Sequence, residues 1–321
     1  MKGSYKQAQL LCQILIIAFC YISLPPFVMH VVCILLHIFL GSISVVTTCG
    51  NLLVIISIIY FKQLHTPTNY LVLSLAVADL LVGTLVCPLT IKFSTSACHY
   101  NYDLFCKVRS TFGTSLCTCS ILHLCCISID RYYAVCQPLT YRTKINNSVT
   151  VIMTLMSWGI SAFIGVGLAT VRSPPKICGK LCLNNVILVN SMGLIFAFYL
   201  PMIIMLSIYL KIFLVAQRQA RSIQSTKLGA TVSKMERKAT KTLAIVMGMF
   251  LMCWLPFFLC TTILNLIHVS VPDVLIEFLT WLALSNSVLN PLIYAFFYSW
   301  FRVAFRLIVS GKIIQGDYTN L

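Results

Sequence analysis

Residues 286–301 read NSVLNPLIYAFFYSWF: two asparagines, a proline and three tyrosine or tryptophan side chains set into an otherwise apolar run. Pro291 has no N–H and so removes a hydrogen bond from any helix that contains it. Hydrocarbon offers no water to repair the loss, so a nearby polar side chain such as Asn290, or a trapped water, has to do so. The segment is therefore read as a membrane helix that faces protein and bends.

The rest of the chain agrees. It is 59% hydrophobic and 9% charged, against roughly 45–50% apolar and about 25% charged in soluble domains. Runs long enough to cross a bilayer lie at 31–61, 67–91, 104–135, 147–170, 185–216, 238–268 and 274–298. Seven spans leave no room for a separate soluble domain, and only 217–237 and 311–321 are polar enough to be loop or tail. The expected division is an N-terminal segment (1–30), a seven-span domain (31–298) and an amphipathic helix with a short tail (299–321).

Lysine and arginine set the orientation, because short loops rich in them stay inside. With the start of the first span outside, fifteen of the 23 face inward and eight outward. The net charge of +16 then belongs to a surface facing anionic lipid and an intracellular partner. Charges spread over membrane loops are a poor match to nucleic acid. Lys2 and Lys6 before the apolar stretch 10–24 resemble the start of a signal peptide without a clear cleavage site. The stretch reads as an uncleaved signal-like segment, an extra span broken at Pro25–Pro26, or a gene-prediction artefact. The one Asn-x-Ser/Thr sequon, at Asn146, falls in the second inner loop.

Four further motifs accompany Asn290, Pro291 and Tyr294: Asp130-Arg131-Tyr132, the FxxCWxP string from Phe250 to Pro256, Asn51, and Trp158. Together they resemble the rhodopsin-like G-protein-coupled receptors over about residues 45–310. The wider string NSVLNPLIYAFFYSWFR resembles the trace amine-associated receptors. The resemblance implies an all-α bundle of seven transmembrane helices with a short C-terminal amphipathic helix, in the plasma membrane. It implies a heterotrimeric G protein as partner, a small-molecule ligand, and no enzymatic activity or cofactor beyond an allosteric sodium ion.

Residue roles follow from the same resemblance. Asp79, with Ser120, Asn286 and Asn290, is the expected sodium site. Arg131 is expected in an inward lock with Asp130 and Glu236, released for the G protein when the sixth helix swings out. Trp254 floors the ligand pocket, while Ile121, Pro201 and Phe250 repack, and Tyr209 with Tyr294 stabilises the active state. The resemblance also implies a disulfide from Cys106 to Cys182 over the mouth of the bundle, and a bridge from Cys178 to the N-terminal tail with Cys12, Cys20 and Cys33 as candidate partners. The other cysteines lie mostly in apolar spans, where free Cys behaves as a small hydrophobe. No cysteine follows Cys260 to carry a palmitoyl anchor.

One expected residue is missing. Amine receptors hold the ammonium with an aspartate eighteen residues before the arginine of Asp-Arg-Tyr, five turns and about 27 Å toward the outside. Here that residue is Gly113. Some fish trace amine-associated receptors move the acid to the fifth helix, eight residues before its proline, and here that residue is Gly193. The expected pocket is Gly113, Thr114, Cys117, Trp254, Phe257, Phe258, Thr261, Thr280 and Leu284, with Glu277 at its mouth. This lining suits an apolar or mildly polar ligand, although aromatic faces also attract cations. Glu277 reads as a solvated carboxylate at a helix start rather than an amine counter-ion.

The expected function is a chemoreceptor that senses a small volatile ligand, amine or neutral, and activates a cAMP-raising G protein. The alternatives are a biogenic-amine receptor, which Gly113 opposes, and a receptor gene losing its function. A transporter or membrane enzyme would show paired repeats or clustered ionisable groups at the midplane. Neither pattern is present, and the histidines share no spacing.

Overall fold

The computed structural model describes residues 26–95, 102–171, 192–222, 227–267 and 273–310. No strand occurs among them. The first helix is Pro26–Tyr60. The second is Pro67–Leu81, continued through a π turn at Val82–Val86 into Cys87–Thr95. The third is Tyr102–Cys136, the fourth Asn147–Val171, and the fifth Leu200–Ser222, entered through a π turn at Ile195–Tyr199. The sixth is Lys227–Ile267, and the seventh is Asp273–Leu284 followed by Asn286–Phe297. Six of these are long and apolar enough to cross a membrane. The seventh meets the eighth helix, Ser299–Val309, at a 100° bend.

Local chemistry sets these boundaries. Thr66 is extended and its side chain accepts from the Asn69 N–H, while Pro67 occupies the first turn, where its missing N–H does no harm. Asn146 Oδ1 accepts from the Val149 N–H at 3.0 Å and starts the fourth helix. Each π turn ends two residues before a proline, Pro88 in the second helix and Pro201 in the fifth. A wider turn relieves the clash between the proline ring and the carbonyl four residues back. The fifth and sixth helices also extend to Ser222 and from Lys227, through residues expected to be loop. Lys, Arg, Gln and Ala are good helix formers, so polarity there marks an exit from the bilayer and not the end of the helix.

The seventh helix solves its proline problem from outside. Pro291 leaves the Ser287 carbonyl without its usual N–H, and Asn51 Nδ2 of the first helix donates to that oxygen at 3.1 Å. Asn51 also donates to the Thr47 carbonyl at 2.9 Å. Gly50 permits the approach, since a Cβ there would stand 3.0 Å from the Pro291 ring. The repair expected of Asn290 or a water thus falls to Asn51, and Asn290 is used elsewhere.

The main core lies between the third, fifth and sixth helices, around Ile121, Phe198, Met205, Phe250 and Trp254. A second cluster joins the first helix to the eighth through Val54, Ile58, Phe61, Tyr294, Phe301 and Ala304. Phe301 and Ala304 are buried while Arg302, Phe305 and Arg306 are exposed, the two faces of a helix lying on a surface. Arg302 Nη1 donates to the Phe296 carbonyl at 3.0 Å, satisfying the end of the seventh helix.

Candidate functional site

Three linked centres run down the bundle. The outermost is an aromatic cluster around Trp254, the residue expected to floor the ligand pocket. Phe258 stacks on Phe198 of the fifth helix with centroids 4.0 Å apart and planes 8° apart. Trp254 and Phe257 lie 5.8 and 5.5 Å from the Phe258 ring. Phe198 continues to Phe250 at 6.0 Å, so one aromatic chain joins the pocket floor to the residues expected to repack. Tyr199 ties the same helices together, its hydroxyl lying 2.8 Å from Thr262 Oγ1.

On the opposite wall, a Cβ at Gly113 would touch only Val86 Cγ1, at 3.7 Å. Cys117 packs between the aromatic core and a second cluster containing Val86, Leu116, Trp281 and Leu284. Leu284 therefore lines the seam between the second, third and seventh helices. The Thr261 and Thr280 hydroxyls donate to carbonyls of their own helices and present methyl groups. Thr114 is half-buried on the third helix. A Cβ at Gly193 would meet Leu168 of the fourth helix at 3.1 Å, so that position points away from the sixth helix. Glu277 is half-buried, with one carboxylate oxygen out of contact with solvent, which departs from the solvated reading.

The middle centre is Asp79, fully buried. Ser120 Oγ and Ser287 Oγ donate to its Oδ1 at 3.0 and 2.7 Å, and Asn290 Nδ2 donates to Oδ2 at 2.6 Å. Three of the four expected residues are present, but Asn286, although buried, forms no hydrogen bond to Asp79 among the described residues. Ser287 takes that place. It lies three residues before Asn290, on the same helix face, which was the available signal. A carboxylate beside two hydroxyls is a hard-oxygen set that fits an alkali cation.

The innermost centre surrounds Arg131. Its Nε donates to Asp130 Oδ2 at 2.8 Å and its Nη2 to Thr68 Oγ1 at 2.6 Å. Thr68 donates to Asp130, and the Tyr141 hydroxyl donates to Asp130 Oδ1 at 2.9 Å. Asp130 is fully buried by this cage. Thr68 and Tyr141 were not expected from the sequence, since polar residues at loop edges ordinarily face water. Burial pushes the Tyr141 phenol above its usual range, aided by the neighbouring Asp130. Tyr132 packs beside Lys211, whose Nζ lies 5.9 Å from its ring. The Tyr209 hydroxyl lies 3.0 Å from Ser128 Oγ, and Tyr294 is packed on Trp300 and Phe301. The side chains of Cys106 and Glu236, and Cys178 and Cys182 entirely, lie outside the described residues, as does the segment before Pro26.

A model of the family described as "7 transmembrane receptor (rhodopsin family)" matches residues 50–294. Trace amine-associated receptor 1 of Macaca mulatta is 43% identical over 303 residues, 88% of this chain and 89% of the relative. Trace amine-associated receptor 4 of Mus musculus is 43% identical over 307 residues, 89% of this chain and 88% of its own. Trace amine-associated receptor 9 of Homo sapiens is also 43% identical over 307 residues, again 89% and 88%.

Proposed function

The chain belongs to the rhodopsin family of seven-transmembrane receptors, in its trace amine-associated branch, and on that premise we propose that it is a chemoreceptor for a small volatile ligand that activates a cAMP-raising G protein. It is a multi-pass plasma-membrane receptor and not an enzyme. The observation that carries the proposal is the pairing of an aromatic cluster with a caged arginine at the opposite end of the same bundle. The Phe198–Phe258 stack leads inward through Phe250, and Arg131 is held by Asp130 and Thr68 on the third and second helices.

A ligand that moves the sixth helix must disturb the stack. A partner that binds Arg131 must open the cage, and either event favours the other if both belong to one two-state equilibrium. The test is cAMP-reporter imaging of cells expressing the chain, exposed to amines and neutral odorants. A ligand-evoked rise that disappears in Arg131→Ala supports the proposal. An evoked fall in cAMP, or calcium release without cAMP, assigns the receptor to another G protein.

A further inference from the structure

Arg109, Trp281 and Trp254 bring N–H donors to the outer end of the bundle, beside the Glu277 carboxylate. The second and third helices run antiparallel, and their side chains meet in rungs. Gly113 faces Val86, and one turn further out Arg109 Nε donates to Thr90 Oγ1 at 3.4 Å. Arg109 is four residues from Gly113 and therefore on the same helix face. Where an amine receptor presents an acid, this chain presents an empty Cβ position beneath a guanidinium.

Two further donors are buried nearby. The indole nitrogens of Trp281 and Trp254 are shielded from solvent and have no hydrogen-bond partner among the described residues. Trp281 is 6% exposed and shares a cluster with Val86, the residue facing Gly113; Trp254, at 4%, belongs to the aromatic core. A buried donor without an acceptor costs about 1–3 kcal/mol, and an N–H of indole cannot accept a hydrogen bond in its place. Thr261 and Thr280 have committed their hydroxyls to their own helices. Glu277 is the one acid whose side chain is described at this end of the seventh helix, where it lies four residues outward of Trp281.

We propose that the ligand is a small carboxylate with an apolar or aromatic body, its oxygens accepting from Arg109 and Trp281 while its body lies on the Phe257–Phe258–Trp254 surface. This rests on the outer aromatic cluster being the ligand site. From Arg109 to Cys117 the third helix rises about 12 Å, room for a carboxylate head above an aryl group. An ammonium head would instead meet a guanidinium and two N–H donors, with Glu277 as the described acid at this end.

The test compares 3-phenylpropionate, 3-phenylpropylamine and 3-phenylpropan-1-ol, which share one apolar body. Thermal stability of the purified full chain in nanodiscs reads binding without a G protein, and reporter cAMP reads signalling. The expected order is carboxylate above alcohol above amine. In Arg109→Gln the carboxylate should lose roughly tenfold to a hundredfold in potency, as for one hydrogen bond to a charged group, with the alcohol little changed. Arg109→Lys, which keeps the charge, should retain the order. An amine or alcohol that stabilises the parent more than the carboxylate overturns the proposal. So does no stabilisation by carboxylates from acetate to 4-phenylbutyrate, or a carboxylate advantage that persists in Arg109→Gln. Stabilisation by 3-phenylpropionate without a cAMP rise keeps the ligand class and removes the assigned coupling.

Discussion

Tyr141 holds Asp130 from the second inner loop: its hydroxyl donates to Oδ1 at 2.9 Å and completes the cage around a carboxylate with no solvent exposure. The bond stabilises the closed arrangement of Arg131, because a buried carboxylate stripped of a donor is poorly compensated. Tyr141→Phe should therefore raise basal cAMP several-fold at equal surface expression. An unchanged or lower basal level would show that Tyr141 only packs.

The same bond fixes a pH expectation. Burial raises the Tyr141 phenol above its ordinary range, and a group raised on folding contributes stability below its unfolded value, lost only as pH rises through the folded one. Basal signalling should be flat between about pH 6 and 8 as far as this bond is concerned, because an unperturbed tyrosine already titrates near 10. Tyr141→Phe should displace the basal curve without changing its shape over that range. A change of shape in the mutant would contradict this role.

Arg131→Ala should abolish G-protein signalling and leave surface expression largely intact. The side chain is held by Asp130 and Thr68 at the inner end and takes no part in the outer cluster. Basal cAMP serves as the readout before any agonist is known, and normal signalling in the mutant would refute the assignment.

Sodium should act as a negative modulator through Asp79, tying the second, third and seventh helices together. Asp79→Asn should remove any sodium sensitivity of ligand binding. Ser287→Ala should weaken it, because Ser287 Oγ lies 2.7 Å from the carboxylate. Binding isotherms with sodium replaced by a large organic cation decide the matter. Equal sodium shifts in parent and Asp79→Asn exclude the site.

Gly113→Asp has space for its Cβ, 3.7 Å from Val86, and should create or strengthen a response to primary amines. Arg109 lies one turn away and will compete for the new carboxylate, so the double variant with Arg109→Gln should respond more strongly than Gly113→Asp alone. Glu277→Gln in the parent should matter little to amines. Amine activation of the parent that disappears in Glu277→Gln would instead place the counter-ion on the seventh helix.

Packing offers a test independent of ligand. A Cβ at Gly165 would run into Ser115 and stand 3.0 Å from the Thr111 carbonyl oxygen, whereas one at Gly159 meets nothing within 4 Å. Gly165→Ala should lower stability by about 1–3 kcal/mol. Gly159→Ala should be neutral or stabilising by up to about 1 kcal/mol, since alanine is the better helix former. Melting curves in detergent would separate them.

Polar residues isolated within apolar runs were the most legible part of the sequence. Asp79, Asn290, Pro291 and Arg131 declared themselves because hydrocarbon tolerates them only with partners. Their partners were harder to find. Ser287 and Thr68 are hydroxyls, which ordinarily bond to their own helix and so carry no distinct signal. Asn51 was recognised as a landmark, but its bond to the Ser287 carbonyl depends on how the first and seventh helices meet. The polar stretch near 217–237 read as loop because charge was weighed more heavily than helix propensity. Arg109 was visible only as an outer charge until Thr90 fixed its place beside Gly113.

The π turn at Ile195–Tyr199 separates the phase of the outer fifth helix from that of the inner part. An ordinary helix advances by about 100° per residue, so deleting one residue inside that turn would rotate everything outward of it by about that angle. Gly193, now facing Leu168, would yield its direction to a neighbour, while Tyr209 at the far end would not move. Residue counting back from Pro201 consequently gives a place along the fifth helix without giving a bearing around it. Chambers of different polarity are thus accessible to one bundle through a single-codon change, leaving its inner machinery undisturbed.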